Sequence, residues 1–410
     1  MGREQGGGFR RTGLIRVSVT IIAIVAGLVL TVVLDRVAGL VTHASSTTGL
    51  IFHPHSTASY RTTEFAFTAT TNALGFRDHE FAPAGAAACR VVAIGDSFTF
   101  GWGVTLEESW PKVLESDLRR RGLDVDVANL GFPGGSPADY ADIASRALPV
   151  LRPQVVVVGV LQGDDLSQLR GTSPSRSTEY WPQRARHLLL NVEETLYPHL
   201  VLLVSHALDQ RHAASSLTIN VTWREQAQAI LAKLDPVQRA RYARMDSAIR
   251  RAFEGGDLNP ALVQSAVRRP ETFLEVWEID RPETRSLIAT MASHLRRIRT
   301  SADRAWARVV VASIPMGLYV DPMMFATWRD RYGYELDPRM LTSPAADEAI
   351  RQAAQEAGLP METVTEAFRQ HTGRRLYFEL DGHLDSGGHR LYAERLAPAI
   401  AAALPARCRS

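Results

Sequence analysis

Four consecutive valines, Val155-Val156-Val157-Val158, constrain the fold of this 410-residue chain more than any other segment. An apolar run with no polar alternation reads as a strand covered on both faces, the kind found in parallel sheets sandwiched between helices. The surrounding sequence supplies such helices. Val91 to Ile94 is a short apolar strand ending at Gly95. From about Thr105 the pattern turns helical: Thr105 and Glu108 form a capping box, Trp110, Val113, Leu114 and Leu118 line one face, and Gly122 ends it. Val125 to Asn129 then reads as strand, Ala138 to Leu148 as helix and Val155 to Val160 as strand. The rhythm resumes at Arg308 to Ala312, followed by helices over 346–358 and 361–370 and a closing helix over 387–403. Strands alternating with helices predict an α/β domain with a central parallel sheet.

Between about 170 and 301 the alternation is lost. Stretches rich in Arg, Ala and Leu, at 188–208, 223–253 and 281–299, predict a helical insertion after the third core strand, with a turn at Gly255-Gly256. Ahead of the α/β pattern, 37–85 reads as a linker in which Ser59 to Thr71 alternates enough for short strands. The main domain is then 86–410.

Val17 to Leu34 is apolar except for Ser18, Thr20 and Thr31, long enough to cross a bilayer as a helix. Arg3, Arg10, Arg11 and Arg16 precede it, which favours a cytoplasmic N-terminus over 1–13, a membrane anchor over 14–36 and everything beyond on the outer side. A cleaved signal peptide competes, but its apolar region is usually about 7–15 residues, shorter than this one.

Lys and Arg total 46 against 44 Asp and Glu, so no strong field draws the chain to nucleic acid. Cys89 precedes the first core strand and Cys408 follows the last helix, at the edge where the strands begin. Spacing alone leaves one bridge and two unpaired thiols equally open. The two show no metal-ligand spacing, and the His53-Pro54-His55 pair has no evident third ligand, so neither metal nor cofactor is expected.

Chemistry is expected at the carboxyl ends of the strands. Ser97 stands in Gly95-Asp96-Ser97-Phe98, just past the first core strand, where open parallel sheets bind ligands. A serine hydroxyl needs a base to become a nucleophile, and otherwise a lone serine there is a helix cap. His383, in Leu380-Asp381-Gly382-His383 ahead of the last helix, is the candidate base, with Asp381 placed to orient it. His389 falls inside the helix and reads as structural.

Four blocks in order resemble the SGNH/GDSL hydrolases: Gly95-Asp96-Ser97, then Asn129-Leu130-Gly131-Phe132-Pro133-Gly134, then Gly163-Asp164-Asp165, then Asp381-Gly382-His383. Asn72-Ala73-Leu74-Gly75-Phe76-Arg77-Asp78 resembles the lead-in of membrane-linked bacterial members. The likeness covers about 72–170 and 305–403. It implies a three-layer flavodoxin-like fold and a serine esterase in which Ser97 is the nucleophile, His383 the base and Asp381 its partner. It also implies an oxyanion hole from the backbone N–H groups of Ser97 and Gly134 and an asparagine amide. Here Asp164 occupies the asparagine position, and an ionised carboxylate cannot donate. Asp381-x-His383 is also one residue shorter than the spacing of many members.

The implied reaction is hydrolysis of a small ester, or of an acylated glycan such as one bearing an O-acetyl group at the cell surface. O-acyl transfer to a polysaccharide uses the same residues. A glycan-binding protein with a degenerate site is the alternative that Asp164 raises.

Overall fold

The computed structural model describes residues 50–81, 89–170 and 219–409, with scattered positions among the first 49. The chain divides into two units, and the larger, Gly49–Ser173 with Leu217–Ser410, holds every element described here. Most of the expected anchor over 14–36, and all of the expected helix over 188–208, lie outside the described residues. Among those described, no helix is long and apolar enough to cross a membrane.

An antiparallel hairpin, β1 (Thr57–Arg61) and β2 (Ala66–Thr70), opens the unit. Its alternate residues are buried, as a strand with one covered face requires. The main sheet has five parallel strands: β3 (Cys89–Gly95), β4 (Val125–Gly131), β5 (Val155–Leu161), β6 (Arg308–Ile314) and β7 (Met361–Thr363). Their order across the sheet is β4-β3-β5-β6-β7. Val91 pairs with Val127 on one side and Val155 on the other, and Val157 pairs with Val310. All seven residues of β5 are buried, so the valine run is the central strand it reads as.

Five long helices cover the sheet. Trp110–Arg120 (α1) is on one face, and Pro137–Leu151 (α2), Pro282–Arg304 (α3) and Ala345–Glu356 (α4) are on the other. Ser386–Ala403 (α5) returns to the first. Trp110, Leu114, Leu118, Tyr392 and Leu396 share a core with Val91, Val127 and Val157. Ile143, Ala147, Met291, Leu295 and Ala353 share another with Val92, Ile94, Val156 and Val158. Each buried valine contributes about 1.5–3 kcal/mol relative to an exposed one, so the two-sided burial of β5 is a major part of what fixes the fold.

Three elements differ from the sequence expectation. The first helix begins at Trp110, not near Thr105. The Thr105 and Glu108 hydrogen bonds do form, at 3.0–3.1 Å, but they close a turn, and Pro111 in the first helical turn marks the real start. The segment 361–370 is not one helix. Met361–Thr363 adds a short edge strand to β6, and the helix is only Thr365–Arg369. Three residues are too few for a period to show. The third difference is the insertion's boundary: α3 packs on the sheet as an ordinary crossover helix, so the described inserted helices span only 219–277. Its Arg- and Ala-rich composition matches theirs, which hid the change.

At the edge where the strands begin, Cys89 and Cys408 are joined, with Cα atoms 5.5 Å apart. Asp124 N–H donates to Cys408 O beside the bridge at 2.9 Å.

Candidate active site

In this strand order the chain leaves β3 for β4 on one side and then crosses to β5 on the other. The crevice beyond the carboxyl ends of β3 and β5 is the switch point where doubly wound sheets hold ligands. Ser97 is the first residue of the turn Ser97–Phe100 at that crevice. The buried carboxylate of Asp96 caps the turn, accepting from Phe98 N–H at 2.9 Å. Arg77, almost fully buried, donates to the carbonyls of Phe100, Gly101 and Val104 at 2.6–2.8 Å, its guanidinium 4.8 and 4.9 Å from the rings of Phe100 and Phe67. Asp78 next to it pairs with Lys112 at 2.7 Å and accepts from Asn129 N–H at 2.8 Å. The segment from Asn72 to Asp78 therefore holds the turn that bears Ser97 and the residues just after it.

His383 Nε2 lies 2.7 Å from Ser97 Oγ, and its Nδ1 bonds Asp381 Oδ1. The Phe98 and Trp102 rings pack near the imidazole, 4.7 and 6.2 Å away between centroids. Burial disfavours the imidazolium, but the Asp381 carboxylate outweighs it, with Asp96 and Asp164 adding to the effect, and the pKa lies above the ordinary histidine value. The loop bearing these two residues is tightly fixed. Phe378 N–H donates to His383 O at 2.9 Å, and Tyr332 Oη donates to Leu380 O at 2.6 Å. Gly382, at φ +84°, passes under the Trp328 indole so closely that a Cβ would stand 2.8 Å from Cζ2.

The oxyanion candidates are placed less completely. Gly134 lies on the loop after β4, exposed, at φ +76°, with open space where a Cβ would stand. Asp164 begins the turn after β5, and its Oδ2 accepts from Gln168 Nε2 at 2.7 Å. Desolvation raises its pKa, while the Gln168 hydrogen bond and the His383 charge pull the other way. Asp165, fully buried, accepts from Tyr140 Oη and Leu161 N–H, both at 2.8 Å. Desolvation and the Asp164 carboxyl push Asp96 up to about 7. Three carboxyl groups thus crowd one end of the sheet.

His389 is structural: its Nδ1 accepts from Trp110 N–H at 3.2 Å, and burial holds it neutral with a pKa of about 3. Among the described residues, no group of three or more His, Cys, Asp or Glu is arranged to hold a metal ion. Sequence reasoning missed Glu64, Tyr332 and Trp328, which all touch the histidine loop. They lie 316, 48 and 54 residues before the groups they contact, and no local pattern links such distant partners.

No protein-family model matches the sequence, and no curated protein matches it. Among solved structures, the chain is similar to a lipase/acylhydrolase from Enterococcus faecalis, at 14% identity, covering 77% of this chain and 97% of that one with a TM-score of 0.36. It is similar to TesA at 13%, covering 77% and 99%, TM-score 0.36, and to the acetyl xylan esterase AlAXEase at 11%, covering 76% and 99%, TM-score 0.35.

Proposed function

We propose that this chain is a serine esterase of the SGNH/GDSL type. The observation that carries the reading is the line Ser97 Oγ, His383 Nε2, His383 Nδ1, Asp381 Oδ1, with 2.7 Å between the first two atoms, at the switch point of a doubly wound sheet. His383 takes the Ser97 proton as Oγ attacks an ester carbonyl. It returns that proton to the departing alkoxide, leaving an acyl group on Ser97. Water deprotonated by His383 then releases the acid. Asp381 keeps Nδ1 protonated, so that Nε2 is the basic nitrogen, and offsets the charge the ring acquires. The backbone N–H groups of Ser97 and Gly134, with Asp164 as a neutral acid, are the proposed donors to the carbonyl oxygen as it becomes negative.

The proposed substrate is a small ester or the O-acetyl group of a glycan, met outside the membrane. Two features support that location: the apolar run from Val17 to Leu34 behind four arginines, and the Cys89–Cys408 bridge, a bond that persists in oxidising compartments. Hydrolysis of p-nitrophenyl acetate by wild type, Ser97→Ala and His383→Ala tests the chemistry. The reading expects both variants to be inactive. Hydrolysis that survives Ser97→Ala in a purified protein refutes it.

A further inference from the structure

The histidine loop is held from outside the α/β domain by one acidic side chain. Glu64 lies in the turn of the β1–β2 hairpin, 316 residues before the loop it meets. Its carboxylate accepts from Leu380 N–H at 2.9 and 3.0 Å and from Asp381 N–H at 2.8 Å. The hairpin is itself seated firmly. Phe65 packs on Phe378 at 4.8 Å between ring centroids, and Tyr60 and Phe67 pack on Trp102 at 4.8 and 5.4 Å. Two backbone donors at the start of the Asp-x-His turn therefore end on a carboxylate borne by an element backed by aromatic packing, while Tyr332 holds Leu380 O from another direction.

We infer that Glu64 is a positioning residue for the Asp381–His383 pair. Asp381 has one rotatable backbone unit between its own N–H, bound by Glu64, and the side chain that orients His383. Freeing that N–H lets the carboxylate turn away from the imidazole. The hairpin thereby becomes part of the catalytic apparatus, although Glu64 touches neither substrate nor reacting atoms. Charge-assisted hydrogen bonds of this kind are roughly twice as strong as neutral ones, and the geometry they hold is one in which about 1 Å of misplacement costs about 100-fold in rate.

This inference rests on the serine-esterase reading, so its test keeps the two apart. In the full chain, reactive Ser97 is counted with a fluorophosphonate, and p-nitrophenyl acetate turnover is expressed per titrated serine. Glu64→Ala is expected to lower kcat about 10- to 100-fold with KM within about threefold. Glu64→Gln, whose single carbonyl oxygen can take both N–H groups as Oε2 does, is expected to recover most of the loss. Amide exchange at Leu380 and Asp381, followed by mass spectrometry, is expected to quicken at least about tenfold in Glu64→Ala and not elsewhere in the α/β domain. A hairpin that served stability alone would lower the melting temperature and the titratable fraction, and free the two amides, but leave kcat per serine unchanged, and that result overturns the inference. Retained hydrolysis in Ser97→Ala would instead remove the esterase reading, and the exchange data would still decide whether Glu64 holds the loop.

Discussion

The two ends of the central sheet are built on opposite principles. Where the strands begin, polar groups are paired. Arg90 forks onto Asp126 at 2.8–3.1 Å and reaches Leu151 O at 3.2 Å, Gln154 exchanges hydrogen bonds with Arg90 and accepts from Arg308 N–H, and Cys89–Cys408 ties the last turn of the chain to the first core strand. Where the strands end, Asp96, Asp164 and Asp165 crowd together, and burial raises the pKa of each carboxyl. Clustered acids of like charge in a desolvated place disfavour their own ionisation, so the site end carries an electrostatic cost that the ion-paired end does not. Substitutions at the two ends should accordingly separate rate from stability.

The largest effect belongs to the site. Ser97→Ala and His383→Ala should each lower turnover by about 10⁴-fold or more, and the double variant should fall little further, because the two act as one unit. The urea midpoint of Ser97→Ala should stay near or above that of wild type, since only a hydroxyl is lost, whereas His383→Ala removes a ring packed near Phe98 and Trp102, strands the buried Asp381 carboxylate and should lower it. A midpoint that falls sharply in Ser97→Ala would show that the nucleophile position itself carries stability. Next in size, Cys408→Ala should cost about 2–5 kcal/mol of unfolding free energy while leaving kcat per folded molecule intact, because the bridge closes a span of 319 residues far from Ser97. Urea titration beside ester turnover reads both, and a fall in kcat of the folded enzyme would contradict the division.

Acidification should set the two ends against each other. His383 has a raised pKa when folded, so the folded chain holds that proton more tightly than the unfolded chain does. The stability it contributes is fully present below the unfolded value and is lost as pH rises through the folded one. Asp96 has the same sign: raised to about 7, it keeps a proton that the unfolded chain releases near pH 4. From about pH 8 down to about pH 5, Asp96 and His383 favour folding by a few kcal/mol, while His389, buried neutral with a pKa of about 3, opposes them by about 2 kcal/mol because only the unfolded chain protonates it. The net gain should be on the order of 1 kcal/mol, while hydrolysis falls about tenfold per unit once His383 protonates and ceases to be a base. Melting temperature and kcat/KM across that range should move in opposite directions. Parallel curves would mean that the carboxyl cluster is ionised and compensated in a way the geometry does not provide.

How much of this was legible in the chain follows the range of each interaction. The valine run, the Gly95-Asp96-Ser97 turn and the Asp381-Gly382-His383 loop declare themselves within a few residues, and the sheet then brings Ser97 and His383 together across 286 positions without either end encoding the other locally. The lead-in from Asn72 shows as a pattern, but its task, Arg77 holding the carbonyls of Phe100, Gly101 and Val104 at and just after the Ser97 turn, does not, because a basic residue in a linker reads as surface. Glu64 was hidden for the same reason: nothing in a hairpin turn marks which acid faces inward. α3 reads as part of the insertion because composition cannot show which layer a helix joins, whereas packing on Val156 and Val158 does.

The smallest effect is the most informative about the site itself. Asp164 stands where the resemblance places an amide donor, and its Oδ2 is held by Gln168 at 2.7 Å. Burial favours its neutral form, which can donate to a developing oxyanion as an amide does, and desolvation is the largest influence on it. Asp164→Asn installs a donor that never ionises, so turnover should rise by up to about tenfold or stay level, with the gain growing as pH increases and wild-type Asp164 loses its proton. The pH dependence separates the explanations. A gain that appears only as pH rises identifies a neutral carboxyl as the wild-type donor, and an equal gain at every pH shows an ionised aspartate that hinders the reaction throughout. A loss of 100-fold or more would give the carboxylate a role of its own. The crowded acids at this end of the sheet would then be parts of the mechanism, and the contrast between the two ends would be one of chemistry as well as of charge.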